Sequence, residues 1–239
     1  MTLTSTDFSK RLAEVRARIK LAAENASRDP HAVRIVAVGK RQPVEAIIAA
    51  HAAGQAEFGE NYAQELKHKR AELKAHGLTT QFHFIGRLQR NKVRHVIGAV
   101  DLIHTVDSPA LLEAIAKRSR THGQRTHLLF QVNLAREPQK AGCSEDDLPN
   151  LIRQAATTPE ISVDGLMTMP PMGLDHETVR PFFVRLRELR DRLVADPALP
   201  TVGGLPELSM GMSDDFEVAV AEGATLVRIG TLLFGPRPT

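Results

Sequence analysis

The chain alternates short apolar runs with longer segments in which apolar residues recur every three or four positions. This alternation predicts strands separated by helices. The predicted strands are "VRIVAV" (33–38), "AEFG" (56–59), "FHFIG" (82–86), "DLIHTV" (101–106), "HLLFQVN" (127–133), "SVDGLMTM" (162–169), "PELSMG" (206–211) and "ATLVRIG" (224–230). Several of the predicted helices end at a glycine, which adopts the left-handed conformation after a helix at little cost: Gly54, Gly77, Gly123 and Gly223.

Eight strands, each followed by a helix, indicate a parallel sheet, and eight such units close into a (β/α)8 barrel. An open doubly wound sheet is the alternative, but it usually has fewer strands. No linker rich in Pro, Gly or Ser divides the sequence, so we predict a single domain over residues 1–239. We expect residues 1–30 to add an amphipathic N-terminal helix packed on the barrel, with an apolar face formed by Phe8, Leu12, Val15, Ile19 and Ala22.

Composition narrows the classes of function. The 239 residues are 42% hydrophobic and 25% charged, as in ordinary globular proteins. A net charge of +3 with interspersed signs and only 4% aromatic residues argues against nucleic-acid binding. No apolar signal core begins the chain and no segment approaches the ~18 consecutive apolar residues of a membrane span, so we expect no membrane association and a cytoplasmic location. The single cysteine, Cys143, fits a reducing compartment, and its polar surroundings in sequence suggest an incidental thiol rather than a nucleophile.

A lysine follows the first strand closely, at the end of the stretch "IVAVGK" (35–40). In (β/α)8 barrels, active sites lie at the carboxyl ends of the strands. Lys40 lies just past the end of the first strand and is therefore expected at that rim. The simpler interpretation is that the strand ends there and Lys40 points to water.

Polar residues also follow or interrupt the second and third strands. Asn61, in "FGENYAQE", either lines a pocket or caps the next helix. His83 alternates with Phe82 and Phe84, so it faces the barrel interior if those rings pack under the helices. A lone inward histidine is more often a core residue than a catalyst.

The two last strand ends supply candidate anion ligands. Ser213 is predicted to cap a helix whose first turn holds Asp214 and Asp215, and Gly230 and Thr231 follow the eighth strand. Backbone N–H groups at a helix start bind anions, and barrels commonly bind phosphate between the loops after strands seven and eight. Taken singly, these residues are explained as a cap and a turn.

Closure of the barrel makes the first strand a neighbour of the eighth. A phosphate bound there would place an aldehyde carbon near Lys40, and lysine forms Schiff bases with aldehydes. Arg228 lies two residues before Gly230, and its fixed positive charge suits a ring nitrogen that stays unprotonated.

Five stretches resemble the signature stretches of one family: "FGENYAQE", "FHFIGRLQRNK", "GLMTM", "LSMGMSDDFEVAVAEG" and "VRIGTLLFG". They are similar, in order and spacing from about residue 33 onward, to the pyridoxal phosphate homeostasis proteins (the YggS/PROSC family). That family has the fold of the N-terminal barrel of bacterial alanine racemases, binds pyridoxal 5′-phosphate and has no established catalytic turnover. The resemblance therefore implies a single (β/α)8 TIM barrel of that type and pyridoxal 5′-phosphate as the cofactor.

The resemblance also implies roles for individual residues. Lys40 matches the lysine that forms the internal aldimine, and Arg228 matches the arginine that faces the pyridine nitrogen. The other matched cofactor-binding positions are Asn61 in the pocket, His83 in the third-strand motif, the phosphate-holding Ser213, Gly230 and Thr231, and Ser209 and Met210 close by. No catalytic residue and no metal ligand is implied. Two positions depart from the family pattern, since Gly39 replaces a usual serine and Phe82 a frequent tryptophan.

Three functions compete at this point: a carrier that holds the cofactor without turnover, a racemase-like enzyme that uses it, and a cofactor-free Schiff-base aldolase acting on a sugar phosphate. Racemisation needs a second acid/base group, which the similar racemases take as a tyrosine from an added β-domain that we expect this chain to lack. The only tyrosine is Tyr62, and an arginine at the ring nitrogen weakens the cofactor as an electron sink. We therefore predict a non-catalytic, monomeric protein of intracellular pyridoxal phosphate homeostasis. Its predicted partners are the cofactor and the apo-enzymes that depend on it.

Overall fold

A closed barrel of eight parallel strands forms the centre of the molecule. The structure is a computed structural model that describes residues 3–137, 139–201 and 203–235. Each strand pairs with the next in sequence, and β8 pairs with β1. The strands are β1 Arg34–Val38, β2 Glu57–Glu60, β3 Gln81–Phe84, β4 Leu102–Val106, β5 Thr126–Val132, β6 Ile161–Thr168, β7 Glu207–Ser209 and β8 Leu226–Ile229. The predicted (β/α)8 barrel is confirmed, and every predicted strand is found with its ends within two residues of the prediction.

Helices surround the barrel and connect its strands. Within the described ranges they are α1 Ser5–Asn25, α2 Val44–Ala52, α3 Ala63–Ala75, α4 Val93–Val96, α5 Pro109–His122, α6 Leu148–Ala156, α7 His176–Ala195, α8 Phe216–Ala221 and α9 Thr231–Phe234. All four glycines predicted to follow helices have positive φ, from 63° to 112°. No helix in the described part of the chain is both long enough and apolar enough to cross a membrane.

The N-terminal helix packs against α2, α8 and α9. Its buried face is the predicted one except that Ala23, rather than Ala22, completes it: Phe8, Leu12, Val15, Ile19 and Ala23. At its start, Thr4 and Asp7 form a reciprocal capping box. The contact between α1 and α9 includes the rings of Phe8 and Phe234, whose centroids lie 5.2 Å apart.

The main apolar core lies between the strands and the helices, and a smaller apolar cluster fills the barrel. The inner cluster combines one residue from each of five strands: Val36, Leu102, Leu129, Met167 and Leu226. Because side chains alternate along a strand, residues two positions away from these also face inward. Several of those inward positions hold buried polar groups, and these groups build the site described next.

Candidate functional site

Lys40 lies at the carboxyl rim of the barrel, in the turn that follows β1. β1 and β8 pair in register, with Ala37 beside Ile229, and a Cβ placed on Gly230 would lie 3.5 Å from the Cβ of Val38. The turn that carries Lys40 therefore adjoins the end of β8. Lys40 is half-buried and makes no hydrogen bond or ion pair with the residues described.

A buried ion pair supports this rim from below. Lys69 Nζ, on α3, lies 2.7 Å from Glu60 Oε1 at the end of β2 and donates to the Gly39 carbonyl at 2.7 Å. The Lys69 side chain is 4% exposed and that of Glu60 is fully buried. Burial raises the pKa of Glu60 to about 7, an effect that the neighbouring Lys69 ammonium only partly offsets. The residue before Lys40 is thus tied to a buried ion pair that has little access to water.

The departure at Gly39 has a local explanation. A Cβ at this position would lie 2.7 Å from Ile47 Cδ1 and 2.8 Å from Glu60 Oε1, both closer than van der Waals contact allows. The glycine therefore makes room for the Glu60 carboxylate and its ion pair.

Asn61 does not cap the next helix, so that interpretation is wrong. The helix starts at Ala63, its N-cap residue is Tyr62, and no side chain accepts a hydrogen bond from its first turn. Asn61 Oδ1 is instead buried and has no hydrogen-bond partner among the described residues. A buried amide oxygen without a partner is costly and suits a pocket wall that contacts a ligand.

His83 points into the barrel, as its alternation with two phenylalanines predicts. Its Nδ1 lies 2.9 Å from His104 Nε2, on β4, and His104 Nδ1 lies 2.8 Å from Ser209 Oγ, on β7. All three side chains are buried. His83 and Ser209 therefore belong to one polar network inside the barrel, and His104, which the sequence analysis did not single out, connects them.

Arg228 completes this network from β8. Its guanidinium donates from Nη1 to Ser209 Oγ at 2.6 Å and from Nη2 to the Thr168 carbonyl at 3.0 Å. Burial lowers the pKa of Arg228 to about 10, so the group stays charged at neutral pH. A guanidinium has five N–H donors, and the other three have no partner among the described residues. A buried cation with spare donors fits an electron-rich ring nitrogen.

The start of α8 also differs from the prediction. The helix begins at Phe216 with Asp215 as its N-cap residue, and Ser213 and Asp214 lie in the preceding turn. Asp215 Oδ1 accepts from the Met212 N–H at 2.6 Å, so this carboxylate holds the turn in place of the Ser213 hydroxyl. The predicted cap at Ser213 is therefore wrong, and its hydroxyl has no hydrogen-bond partner among the described residues.

The loops after β7 and β8 lie side by side. The Arg228 N–H donates to the Gly211 carbonyl at 3.0 Å, which joins the end of β8 to the loop that leads to Ser213. Gly230 is the N-cap residue of α9, and Thr231, its first residue, is exposed. Met210, by contrast, is fully buried beneath this loop.

The rim thus brings together Lys40, Asn61 and the two loops with Ser213, Gly230 and Thr231, while the barrel interior beneath holds Arg228, Ser209 and His83. His104 is not among the predicted site residues, although Leu102 faces the interior and the same two-residue alternation places His104 there. The Thr168 contact uses a backbone carbonyl and so has no side-chain signal in the sequence.

Comparison with known proteins gives consistent matches along almost the whole chain. The family model described as alanine racemase, N-terminal domain, matches residues 11–238. The pyridoxal phosphate homeostasis protein of Aquifex aeolicus (strain VF5) is 43% identical over 228 residues, which are 95% of this chain and 97% of that protein. Its namesake in Pseudomonas aeruginosa is 41% identical over 230 residues, covering 96% of each chain.

Solved structures agree with these matches. PipY of Synechococcus elongatus PCC7942, solved without PLP, has a TM-score of 0.84 and 39% identity, covering 95% of this chain and 100% of that chain. The PipY structure with PLP bound has a TM-score of 0.81 and 38% identity, with the same coverage. Alanine racemase from Corynebacterium glutamicum, at 16% identity and a TM-score of 0.60, shares the fold over 94% of this chain and 61% of its own.

Proposed function

This chain belongs to the pyridoxal phosphate homeostasis protein family, which shares the alanine racemase N-terminal barrel, and from that premise we propose that it binds pyridoxal 5′-phosphate at the carboxyl rim. The observation that carries the proposal is the adjacency of β1 and β8. It brings the turn with Lys40 next to the turn with Gly230, directly above the buried Arg228.

The residues present fit this cofactor. It supplies an aldehyde that a primary amine can attack and a pyridine ring that withdraws electrons. Lys40 is the amine for covalent attachment, as it has no ion-pair partner among the described residues. Arg228 donates to the ring nitrogen, and the unpartnered Asn61 Oδ1 lines the pocket.

The phosphate is assigned to the loops after β7 and β8. Ser213 and Thr231 offer hydroxyls, and Gly230 offers a backbone N–H without a side chain in the way. Ser209 does not contact the phosphate but accepts a hydrogen bond from Arg228 beneath it, and the buried Met210 packs under the loop. His83 contributes through this same network rather than by direct contact.

The geometry favours holding the cofactor over catalysing with it. A guanidinium that stays protonated disfavours a second positive charge on the ring nitrogen, and an unprotonated ring is a weaker electron sink. Racemisation also needs an acid/base group on the second face of the substrate. Tyr62, the only tyrosine, lies at the start of α3 with 44% of its surface exposed, which does not suit that role. We therefore propose a role in pyridoxal phosphate homeostasis without substrate turnover.

Borohydride reduction tests the attachment. We expect the protein loaded with pyridoxal phosphate to be yellow, and its visible absorption to change on reduction. Peptide mass spectrometry should then place the adduct on Lys40. Lys40→Ala should lose the colour and the adduct, while Lys67→Ala, which alters an exposed lysine of α3, should keep both. An adduct on the buried Lys69 instead, or a protein that stays colourless, would refute the proposal.

Amino-acid assays test the absence of turnover. We expect no racemisation of L-alanine or other amino acids by the loaded protein above the rate of free cofactor. Robust turnover that disappears in Lys40→Ala would show an enzyme instead.

We further propose that the protein transfers its cofactor to apo-enzymes and acts as a monomer. Mixing the loaded protein with an apo-aminotransferase should restore that enzyme's activity, and sedimentation should report a single species of 26.2 kDa. A dimer, or activity restored only as fast as by cofactor released into solution, would contradict these two points.

A further inference from the structure

The polar network inside the barrel extends beyond the cofactor site to the opposite end. His83 Nε2 lies 3.4 Å from Glu57 Oε2, at the start of β2. From there the chain of contacts runs through His104 and Ser209 to Arg228, at 2.9, 2.8 and 2.6 Å. A carboxylate near the amino end of the barrel is thus linked to the guanidinium under the rim by four consecutive contacts.

Burial favours the neutral form of both histidines in this network. Burial, with a smaller contribution from the charge of Arg34, lowers the pKa of His83 to about 3. Burial also holds the pKa of His104 well below its usual range, and His83 and Arg228 add to that effect. A neutral imidazole carries one N–H and one bare nitrogen, so each ring donates once and accepts once.

Only one direction of donation satisfies every group. If His83 donates from Nε2 towards Glu57, its Nδ1 accepts from His104 Nε2, and His104 Nδ1 accepts from the Ser209 hydroxyl. In the opposite direction the bare His83 Nε2 faces the Glu57 carboxylate. The Ser209 hydrogen would then lack an acceptor among the described residues, because His104 Nδ1 and Arg228 Nη1 would both donate to Ser209 Oγ.

We propose that Glu57, His83 and His104 are positioning residues that fix this direction and thereby hold Arg228 in place. Burial raises the pKa of Glu57, and the ion pair with Arg34 opposes this and favours the carboxylate form. This carboxylate orients both rings, and the rings orient the Ser209 hydroxyl away from Arg228. Ser209 then presents a lone pair to the guanidinium and holds it beneath the rim. Only the last link, from Arg228 to the ring nitrogen, rests on the proposed function.

The amino end of the barrel supplies a matched pair of carboxylates for a test. Arg34 bridges Glu57 and Glu207, with Nη1–Oε2 and Nη2–Oε1 distances of 3.2 and 2.6 Å. Both carboxylates contact the same guanidinium, but only Glu57 is close to His83. Glu57→Gln and Glu207→Gln therefore remove equal charge from the same cluster and differ in their effect on the network.

Imidazole nitrogen NMR of the 15N-labelled, cofactor-free protein at pH 7 reports the direction without any substitution. We expect His83 and His104 both to be neutral, with the proton on Nε2. A proton on Nδ1 of either ring, or a charged ring, would overturn the proposal. In Glu57→Gln, Arg34 competes for the oxygen of the new side-chain amide, so the amide NH2 group can turn towards His83. The bare Nε2 of His83 then accepts from this NH2 group, and the tautomer of His83 with its proton on Nδ1 should appear. Glu207→Gln should leave both rings unchanged. An unchanged spectrum in Glu57→Gln, or equal changes in both variants, would also overturn it.

Titration with pyridoxal phosphate tests the last link. We expect Glu57→Gln to weaken binding about fivefold, the effect of one hydrogen bond of ordinary strength, and Glu207→Gln to stay within about twofold of wild type. Equal affinities of the two variants would show that the network does not hold Arg228 for the cofactor. If the wild-type protein bound no pyridoxal phosphate at all, the proposed function would fail, while the NMR result would still decide the direction of the network.

Discussion

The Glu60–Lys69 pair makes a quantitative prediction about stability and pH. Glu60 is fully buried, and only one of its two carboxylate oxygens has a hydrogen-bond partner among the described residues. Glu60→Gln keeps the shape of this side chain but removes its titration. Lys69 retains the Gly39 carbonyl and the Glu65 carboxylate as partners in the variant.

The size and sign of the effect follow from the pKa. Burial raises the Glu60 pKa from 4.5 to about 7, so the folded protein binds a proton that the unfolded chain releases at lower pH. Wild-type stability from this group is fully present below pH 4.5 and is lost as the pH rises to about 7. At 1.36 kcal/mol per pH unit, the loss is about 3 kcal/mol. The variant has no such loss, so relative to wild type it should gain about 3 kcal/mol between pH 4 and pH 8.

Urea unfolding followed by far-UV circular dichroism, at intervals between pH 4 and pH 8, measures this difference. Other carboxyl groups titrate equally in both proteins and cancel. Glu65→Gln is the matched control, because Glu65 also contacts Lys69 but its side chain is 31% exposed. The stability of the Glu65→Gln protein relative to wild type should change by less than about 1 kcal/mol over the same pH range. A Glu60→Gln difference that stays constant across this range would refute the argument from burial.

Three further predictions concern packing and reactivity. Gly211→Ala should destabilise the protein by about 3 kcal/mol, because the φ of Gly211 is 90° and the added Cβ would lie 2.6 Å from a methyl carbon of α8. The control is Gly173→Ala, where φ is 78° and no atom lies within contact distance, and it should cost only about 1 kcal/mol. Equal losses of unfolding free energy in urea would contradict this prediction. Burial raises the pKa of the Cys143 thiol to about 12, so its reaction with a disulfide reagent at pH 8 should be about a thousandfold slower than that of a free thiol until the protein unfolds, and fast labelling of the native state would disagree. Phe8→Ala should cost about 3–5 kcal/mol because it empties a fully buried site against Phe234, and a loss below about 1 kcal/mol would show that α1 contributes little.

The barrel could be predicted from the sequence because strands of a parallel sheet, buried on both sides, appear as short apolar runs. The positions of the strand ends were harder to predict than the presence of the strands. β7 was predicted over 206–211 but spans Glu207–Ser209, because the chain turns at Gly211 with a φ of 90°. Tertiary pairing, rather than local pattern, decides where such a short strand stops.

The candidate site was only partly predictable. The inward direction of His83 follows from alternation, and His104 was open to the same argument. Lys69 was missed because its neighbours in α3 are polar, although it lies three residues after Leu66 and four before Leu73, on the buried face. Its burial depends on Glu60, which another part of the chain provides, and no local pattern could show that partnership.

The packing of α1 has a consequence for synthesis on the ribosome. Arg11, on this helix, donates a hydrogen bond to the carbonyl of Leu233, 222 residues later in the chain. At about 5–20 residues per second, a growing polypeptide would wait roughly 10–45 s before that partner emerges. During this interval α2, which is synthesised early, can cover part of the apolar face of α1, but the part that packs against α8 and α9 stays exposed until translation is nearly finished.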